Sequence, residues 1–318
     1  SKSQQLLFRL LDKDVFVKAA TKPFSIKTVA GSLDFSYGSL LIPVQNQKYN
    51  SGELYELLQS ISKAEKVNIV PVTTGLSIIG VDLGSSGFKK IEKPKVLLLT
   101  GGDISSTEAG EVWHLFDQQL KYPVTRVNDV TIKRINLQEF NRIVLVSGNY
   151  SFLDKQMQEE LSNWIKTGGT LVTVNEATRW AINQKLTDIE LKPLKPETSQ
   201  AGKRLPTSIF QTNLNPEHPV NFGLNGNQLP VIRENTLVLA PGSINVSVYA
   251  KNSLLNGYSS PEFLDTLEGS AAIAVTKSGR GTLIHFSDNP LFRGSWDGTA
   301  RTFVNAIVVG HLPYDKQQ

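Results

Sequence analysis

The chain has 318 residues, of which 40% are hydrophobic and 19% are charged, and its formal net charge is +4. This length accommodates two domains and a large core, and the composition is typical of a globular protein. Lysine and arginine form no run of four or more, and no apolar stretch approaches the ~18 residues of a membrane helix. The sequence therefore predicts neither nucleic-acid binding nor a membrane span.

Side chains suited to redox chemistry and metal binding are scarce. The chain has no cysteine, one methionine and four histidines. The lack of cysteine excludes disulfides, thiolate metal sites and a cysteine nucleophile, and so few histidines exclude a histidine-rich metal centre. The lack of cysteine does not decide between a periplasmic and a cytosolic protein.

The first part of the chain, residues 1–93, is expected to form a small α/β domain. Alternating or apolar runs predict strands at residues 14–19, 38–44 and 67–72. A helix is predicted to begin at Ser51 and to run through Ile61, because leucine and isoleucine recur there at helical spacing. Small and charged residues at 84–94, ending in Pro94, are typical of a linker.

The remainder, residues 94–318, begins with apolar runs that alternate with amphipathic segments. Apolar runs at 96–99, 142–146 and 171–174 are typical of strands that are buried on both faces. Helical spacing of apolar residues follows the first run between Ala109 and Leu120, and the second between Leu153 and Ile165. This alternation predicts a parallel, doubly wound sheet.

Patterns that indicate helices and strands become weaker after residue 184. Residues 185–235 are rich in proline, asparagine and glycine, which predicts a long irregular excursion. Strands are predicted to resume at 236–239 and 246–249, followed by a β-hairpin over 270–286. A last helix is predicted near Thr299–Val309.

The turn after the run at 171–174 is the most informative short segment. A strand followed by a sharp turn and a helix is where many α/β enzymes hold a serine or cysteine nucleophile. Here the turn holds Asn175, Glu176 and Ala177, none of which is such a nucleophile. We interpret Glu176 as a helix N-terminal carboxylate rather than as a nucleophile or base.

Several motifs together resemble known families. The first group, which resembles glutamine amidotransferase-like domains, is Gly168-Gly169-Thr170-Leu171-Val172, Glu217-His218-Pro219-Val220-Asn221-Phe222-Gly223 and Gly279-Arg280-Gly281-Thr282-Leu283-Ile284. The second group is Leu33-Asp34-Phe35-Ser36-Tyr37-Gly38-Ser39, Gly80-Val81-Asp82-Leu83-Gly84-Ser85, Ala109-Gly110-Glu111-Val112-Trp113 and Phe292-Arg293-Gly294-Ser295-Trp296-Asp297-Gly298-Thr299. It resembles the C-terminal region of long bacterial zinc carboxypeptidases, which are carboxypeptidase A-like metallopeptidases.

The resemblance implies a fold and a parent protein. The fold would be a small N-terminal α/β domain followed by a doubly wound, flavodoxin-like, class I glutamine amidotransferase-like domain. The peptidase domain of the parent, with its zinc, would lie upstream of this fragment. A peptidase that acts on external peptides would favour a periplasmic or secreted location.

The catalytic groups of both families are missing from this fragment. None of the four histidines begins the His-x-x-Glu motif that binds zinc in such peptidases. Active amidotransferases carry a His-Pro-Glu motif after a late strand, where this chain has Asn289-Pro290-Leu291. With Asn175 at the nucleophile turn, the resemblance implies that all three catalytic roles are lost. We therefore expect no catalytic residue, no cofactor and no metal in this fragment.

One helix carries acidic and imidazole groups at i, i+3 spacing. Glu108, Glu111 and His114 follow this spacing, so that a metal would use Glu111 and His114. A weak surface pair is the commoner outcome of such a pattern.

Polar residues that follow predicted strands define a possible ligand cleft. Ligands of open α/β sheets bind beyond the carboxyl ends of the strands. That rule selects Asp103, Asn149, Glu176, Asp288 and Arg293, with Glu111 and His114 on the neighbouring helix. The segment 292–297 either lines this cleft or forms an arginine–aspartate pair.

The leading functional hypothesis is a non-catalytic amidotransferase-like region. It would dock to the upstream peptidase domain, present its peptide substrate or stabilise it. Two alternatives stay open. One is a divergent hydrolase that uses Glu176, Asp288 or His114, with or without a metal, and the other is a module that binds a sugar or a peptide in the strand-end cleft.

Overall fold

The computed structural model describes residues 2–194, 205–242 and 244–314. Seven α-helices lie within these ranges: α1 Lys2–Asp12, α2 Ser51–Glu65, α3 Ser106–His114, α4 Lys155–Lys166, α5 Glu176–Asn183, α6 Pro261–Leu267 and α7 Asp297–Val308. The same ranges contain fifteen strands: β1 Lys18–Ala20, β2 Phe24–Thr28, β3 Gly31–Phe35, β4 Leu40–Leu41, β5 Ile79–Gly80, β6 Phe88–Lys90, β7 Val96–Thr100, β8 Thr125–Asn128, β9 Arg142–Leu145, β10 Thr170–Val174, β11 Ser208–Leu214, β12 Gln228–Arg233, β13 Ile244–Asn256, β14 Ala271–Ser278 and β15 Gly281–Phe286. None of the helices in the described ranges combines the length and the apolar character needed to cross a bilayer.

A nine-stranded mixed sheet dominates the fold. Its order is β12-β11-β13-β14-β15-β10-β9-β7-β8. The five strands from β15 to β8 are all parallel. Counted along the chain, their order is 2-1-3-4-5, which is the flavodoxin-like doubly wound order. The other four strands are antiparallel, so the prediction of a parallel sheet holds for one half of this sheet only.

The parallel half forms where the apolar runs predict it. All residues of β9 and β10 are buried, as expected for strands covered on both faces. Helix α4 buries Met157, Leu161, Trp164 and Ile165 against the sheet, which confirms its predicted apolar face. Gly169 brings the chain from α4 into β10 beneath the Trp164 ring, where an added Cβ would lie 2.5 Å from ring atoms.

The predicted irregular excursion at 185–235 contains two strands, so that prediction was wrong for β11 and β12. Both strands alternate between buried and less buried residues. Pro230 lies in β12, which is the outermost strand, and proline is tolerated at a sheet edge because one side of the strand needs no amide donor. Residues 195–204 of the predicted excursion lie outside the described residues.

The N-terminal part is built around two small sheets, β4-β1-β6 and β3-β2-β5. Helix α2 begins at Ser51 as predicted, after a capping box between Asn50 and Glu53. Of the strand predicted at 38–44, only Leu40–Leu41 forms a strand, and residues 67–72 form none. These segments are only partly buried, so their apolar residues are used for packing rather than for sheet pairing.

One continuous core joins the two parts of the chain. It contains α1 residues such as Phe8 together with β7 residues such as Leu98 and α7 residues such as Phe303. Phe8 meets Phe116 and Tyr122 edge-on across the predicted boundary, with ring centroids 6.0 and 4.7 Å apart. The division after residue 93 stays a prediction.

Candidate functional site

The turn between β10 and α5 has a strained backbone. Asn175 has φ 52° and ψ −122°, a conformation that is strained for any residue other than glycine. Its backbone N–H donates to the carbonyl of Phe286 at the end of β15, over 3.0 Å. The strained strand–turn–helix that can hold a nucleophile is therefore present, and the residue at its turn carries a carboxamide.

The Asn175 side chain is held on both of its polar atoms. Its Nδ2 donates to Glu108 Oε1 over 2.8 Å, and its Oδ1 accepts from Asn235 Nδ2 over 3.0 Å. Asn235 also donates to the carbonyl of Ser287 over 3.0 Å. These bonds connect the β10 turn with α3, with the loop after β12 and with the end of β15.

A cavity of about 390 Å³ lies at this turn, beyond the carboxyl ends of the parallel strands. Four carboxylates and one guanidinium line it, together with amide and hydroxyl side chains and the Phe292 ring. The charged residues are Glu108, Glu111, Glu176, Glu234 and Arg293. The excess of negative charge disfavours phosphates and other anionic ligands.

Glu108 organises the inner wall of this cavity. It accepts from the Ser147 backbone N–H over 2.7 Å and from Ser147 Oγ over 2.9 Å, in addition to Asn175. The carboxylate is therefore committed to three hydrogen bonds within the protein. Ser147 and Asn175 follow neighbouring strands, so Glu108 fixes the spacing between two strand ends.

Glu111 organises the outer wall. It accepts from Asn289 Nδ2 and from the Arg293 backbone N–H, each over 2.6 Å. Arg293 has φ 49°, a second left-handed backbone at this site, and its guanidinium lies 5.0 Å from the Phe292 ring centroid. Of the segment 292–297, Phe292 and Arg293 line the cleft, and no ion pair among the described residues joins Arg293 to Asp297.

A buried ionic group supports the cavity from below. Arg233 is fully buried, and its Nη1 lies 3.0 Å from Asp288 Oδ1. Tyr249 donates to the other Asp288 oxygen, and Arg233 donates to the Asn235 and Leu237 carbonyls. Burial raises the pKa of Asp288, and the Arg233 charge partly offsets this rise. The Arg233 contacts hold the loop after β12, which carries Asn235 to the Asn175 side chain.

The structure brings together three of the seven residues predicted for the cleft. Glu111, Glu176 and Arg293 line the cavity. Asp103 and Asn149 are exposed beside it, where the Asn149 N–H donates to the Asp103 carbonyl over 2.9 Å.

The other two predicted cleft residues, His114 and Asp288, do not reach the cavity. His114 is exposed at the last turn of α3, so it does not join Glu111. Asp288 turns inward to Arg233, which lies at the end of β12, a strand in the segment that the sequence analysis left irregular.

Sequence reasoning missed Glu234 and Asn235 because it left their segment irregular. The alternation in β12 was the available signal, since it ends directly before these two residues. Glu176 forms an ion pair with Arg179 over 2.8 Å, which fits its interpretation as a helix N-terminal carboxylate.

No histidine lines the cavity, and all four lie in the described ranges. His285 is buried between two hydroxyls, with Nδ1 2.7 Å from Thr173 Oγ1 and Nε2 3.0 Å from Thr187 Oγ1. Burial lowers the pKa of His285 to about 3, and it lowers the pKa of His218 and His311 similarly. These imidazoles are neutral structural groups. Across the described ranges, no three histidine, aspartate or glutamate side chains are grouped as a metal ion would need.

Comparisons with known proteins give remote similarities only. No protein-family model matches the chain, and no curated protein does. Among solved structures, a ThuA-like protein from Parabacteroides merdae is 13% identical over 68% of this chain and 89% of its own, with a TM-score of 0.45. A cytoplasmic protein from Salmonella typhimurium is 15% identical over 67% and 97%, with a TM-score of 0.42. A β-galactosidase from Bacillus circulans is 14% identical over 67% and 30%, with a TM-score of 0.36. At these values the similarity assigns neither a family nor a function to this chain.

Proposed function

We propose that this chain is a non-catalytic, class I glutamine amidotransferase-like region. In the fuller form of the proposal, it belongs C-terminally to a zinc carboxypeptidase domain and docks to it, presents its peptide substrate or stabilises it. The zinc would belong to that upstream domain.

The Asn175 turn is the observation that carries the proposal. Its backbone has the strained geometry that holds a nucleophile in hydrolytic enzymes. Its carboxamide, however, is a poor nucleophile and is already engaged with Glu108 and Asn235. The backbone at this turn is strained, but its side chain is an amide whose two polar atoms both have hydrogen-bond partners. This combination supports a scaffold role rather than a catalytic role.

The surroundings of Asn175 support the same proposal. Nucleophilic catalysis needs a base within hydrogen-bond reach of the nucleophile. The nearest carboxylate, Glu108, accepts three hydrogen bonds from Ser147 and Asn175, and no imidazole lines the cavity. Glu176, the residue that a divergent hydrolase would use, is exposed and paired with Arg179.

A turnover assay tests the non-catalytic part. The chain is incubated with L-glutamine and with a set of p-nitrophenyl esters, and ammonia and p-nitrophenol are measured. We expect no turnover above buffer. Turnover that is lost in Glu176→Gln but kept in Glu159→Gln, an exposed carboxylate on α4, would overturn the proposal in favour of a divergent hydrolase.

A separate assay tests the docking part. The reading frame upstream of Ser1 is inspected for a His-x-x-Glu peptidase domain, and that domain is expressed with and without the present chain. We expect the longer protein to unfold at a higher temperature, because an interface that forms only in the folded state stabilises it. Equal melting temperatures and equal peptide hydrolysis would contradict docking, and a reading frame without such a domain would do so as well.

A further inference from the structure

A second cavity is lined by residues that lie next in the chain to residues of the strand-end cavity. It measures about 420 Å³ and is lined by Leu229 and Pro230 of β12 and by residues 295–298. The strand-end cavity is lined by the next part of the same strand and by the preceding part of the same loop, at Ile232, Glu234, Phe292 and Arg293. The two cavities are therefore neighbours along both walls.

The length of this groove can be estimated from the residues of β12, the outermost strand of the sheet. Pro230 and Ile232 alternate along β12, so they share one face, and Glu234 directly follows the end of the strand. At ~3.3 Å per residue, the four steps from Pro230 to Glu234 span about 13 Å. The groove continues past Glu234 to Asn175, so it is longer than a single sugar ring or amino-acid side chain.

The hydrogen-bonding capacity of the groove discriminates among ligands. A carboxylate offers about four acceptor positions. Glu108 already accepts three hydrogen bonds, Glu111 two, and Glu176 and Glu234 one each from Arg179 and Thr207, so each carboxylate keeps only part of its acceptor capacity. An ammonium has three donors and a guanidinium five, and both need several free acceptors in one place. A hydroxyl group offers one donor and matches a single vacant position.

The apolar features of the groove point to the same ligand class. One aromatic side chain lies in each cavity, Phe292 in the first and Trp296 in the second. Flat aromatic faces pack against the C–H faces of sugar rings, while the carboxylates disfavour acidic sugars and phosphates. Arg293, stacked on Phe292, supplies donors to ligand oxygens.

We propose that this groove binds a neutral oligosaccharide, with one sugar unit against Trp296 and the chain continuing toward Asn175. The inference rests on the proposed non-catalytic function, because it requires a cleft that holds its ligand without altering it. It specifies the ligand class for that cleft.

The test uses an array of neutral gluco-, galacto-, manno- and xylo-oligosaccharides, with heparin and oligolysine as charged comparators. We expect at least one neutral oligosaccharide to bind, and its affinity is then measured by calorimetry. Trp296→Ala should weaken binding about tenfold, because the stacking face is lost. Trp113→Ala, a matched partly exposed tryptophan that stacks on Arg126 away from the groove, should bind as the wild type does.

A second variant guards against a folding defect in the first. Glu234→Gln keeps the shape of the β12 edge and removes one charge, and it should also weaken binding. Failure of every neutral oligosaccharide to bind, preferential binding of heparin or oligolysine, or unchanged affinity in both groove variants would overturn the inference.

The two proposals fail in distinguishable ways. The bound oligosaccharide is recovered, and its molecular mass is measured by mass spectrometry. A shortened oligosaccharide would leave the groove assignment standing and would overturn the non-catalytic function. An absence of binding, together with an absence of turnover on glutamine and esters, would overturn the groove assignment alone.

Discussion

Acidification should destabilise this protein through its buried histidines. Burial lowers the pKa of His218, His285 and His311 to about 3, whereas the unfolded chain has the ordinary value of 6.5. Neighbouring cations act in the same direction for His218 and His311. Between pH 6.5 and pH 3 the unfolded state thus binds more protons than the folded state. Stability from these groups is complete above pH 6.5 and is lost as the pH falls toward 3.

The magnitude follows from the size of the shift. Each pH unit below 6.5 costs about 1.4 kcal/mol per histidine. At pH 5 the loss is about 2 kcal/mol for each group, or about 6 kcal/mol for the three together. This loss is comparable with the whole stability of a marginal domain, so we expect unfolding in mild acid, before most carboxylates are protonated.

Urea unfolding at several pH values between 7.5 and 5 measures this effect. His285→Gln removes one of the three titrating groups, so the free energy of unfolding of this variant should fall by about 2 kcal/mol less than that of the wild type over the range. His114→Gln is the matched control, because this side chain is exposed on α3, and it should keep the wild-type slope. A free energy of unfolding that does not change from pH 7.5 to pH 5 would refute the reasoning, as would equal slopes for wild type and His285→Gln.

Substitutions at three further positions, with one control substitution, test the packing of the site and of the sheet. Arg233→Leu leaves Asp288 buried without its cation, so the free energy of unfolding should fall by about 3–5 kcal/mol; a loss below about 1 kcal/mol would show that the pair is not needed. Asn175→Ala removes two hydrogen bonds and keeps the backbone strain, whereas Asn175→Gly relieves the strain. Urea unfolding should therefore find the glycine variant more stable by about 1 kcal/mol, and the reverse order would contradict the strain argument. Gly281→Ala would place its Cβ 1.9 Å from a backbone carbonyl oxygen of α4, so it should abolish folding, whereas Gly102→Ala meets nothing within 4 Å and should melt with the wild type.

The parallel half of the sheet could be predicted from local patterns. A strand buried on both faces, such as β7 or β10, must be apolar throughout, and a covering helix such as α4 must be apolar on one face. Both requirements act within a few residues, so they are visible in one sequence. The absence of a nucleophile at Asn175 is visible for the same reason.

The two outermost strands of the antiparallel half, β11 and β12, are a product of tertiary pairing. Strand β12 is a short edge strand that contains a proline, and it forms because β11 supplies its hydrogen-bonding partner. Its register delivers Asn235 to Asn175, sixty positions earlier in the chain. The sequence had no local signal for that contact, because neither asparagine differs from an ordinary loop residue.

For Asp288, the sequence predicts the position of the residue but not the direction of its side chain. Its place after β15 is fixed by the sequence, and that place predicted a side chain in the cleft. Its direction depends on Arg233, which reaches it from another strand and offers a charge that a buried carboxylate needs. The sequence by itself therefore determined the parallel scaffold and the lack of a serine or cysteine at residues 175–177. Only the tertiary structure decided which polar groups face the cleft, because buried charges and amides take the direction of partners that are distant in the chain.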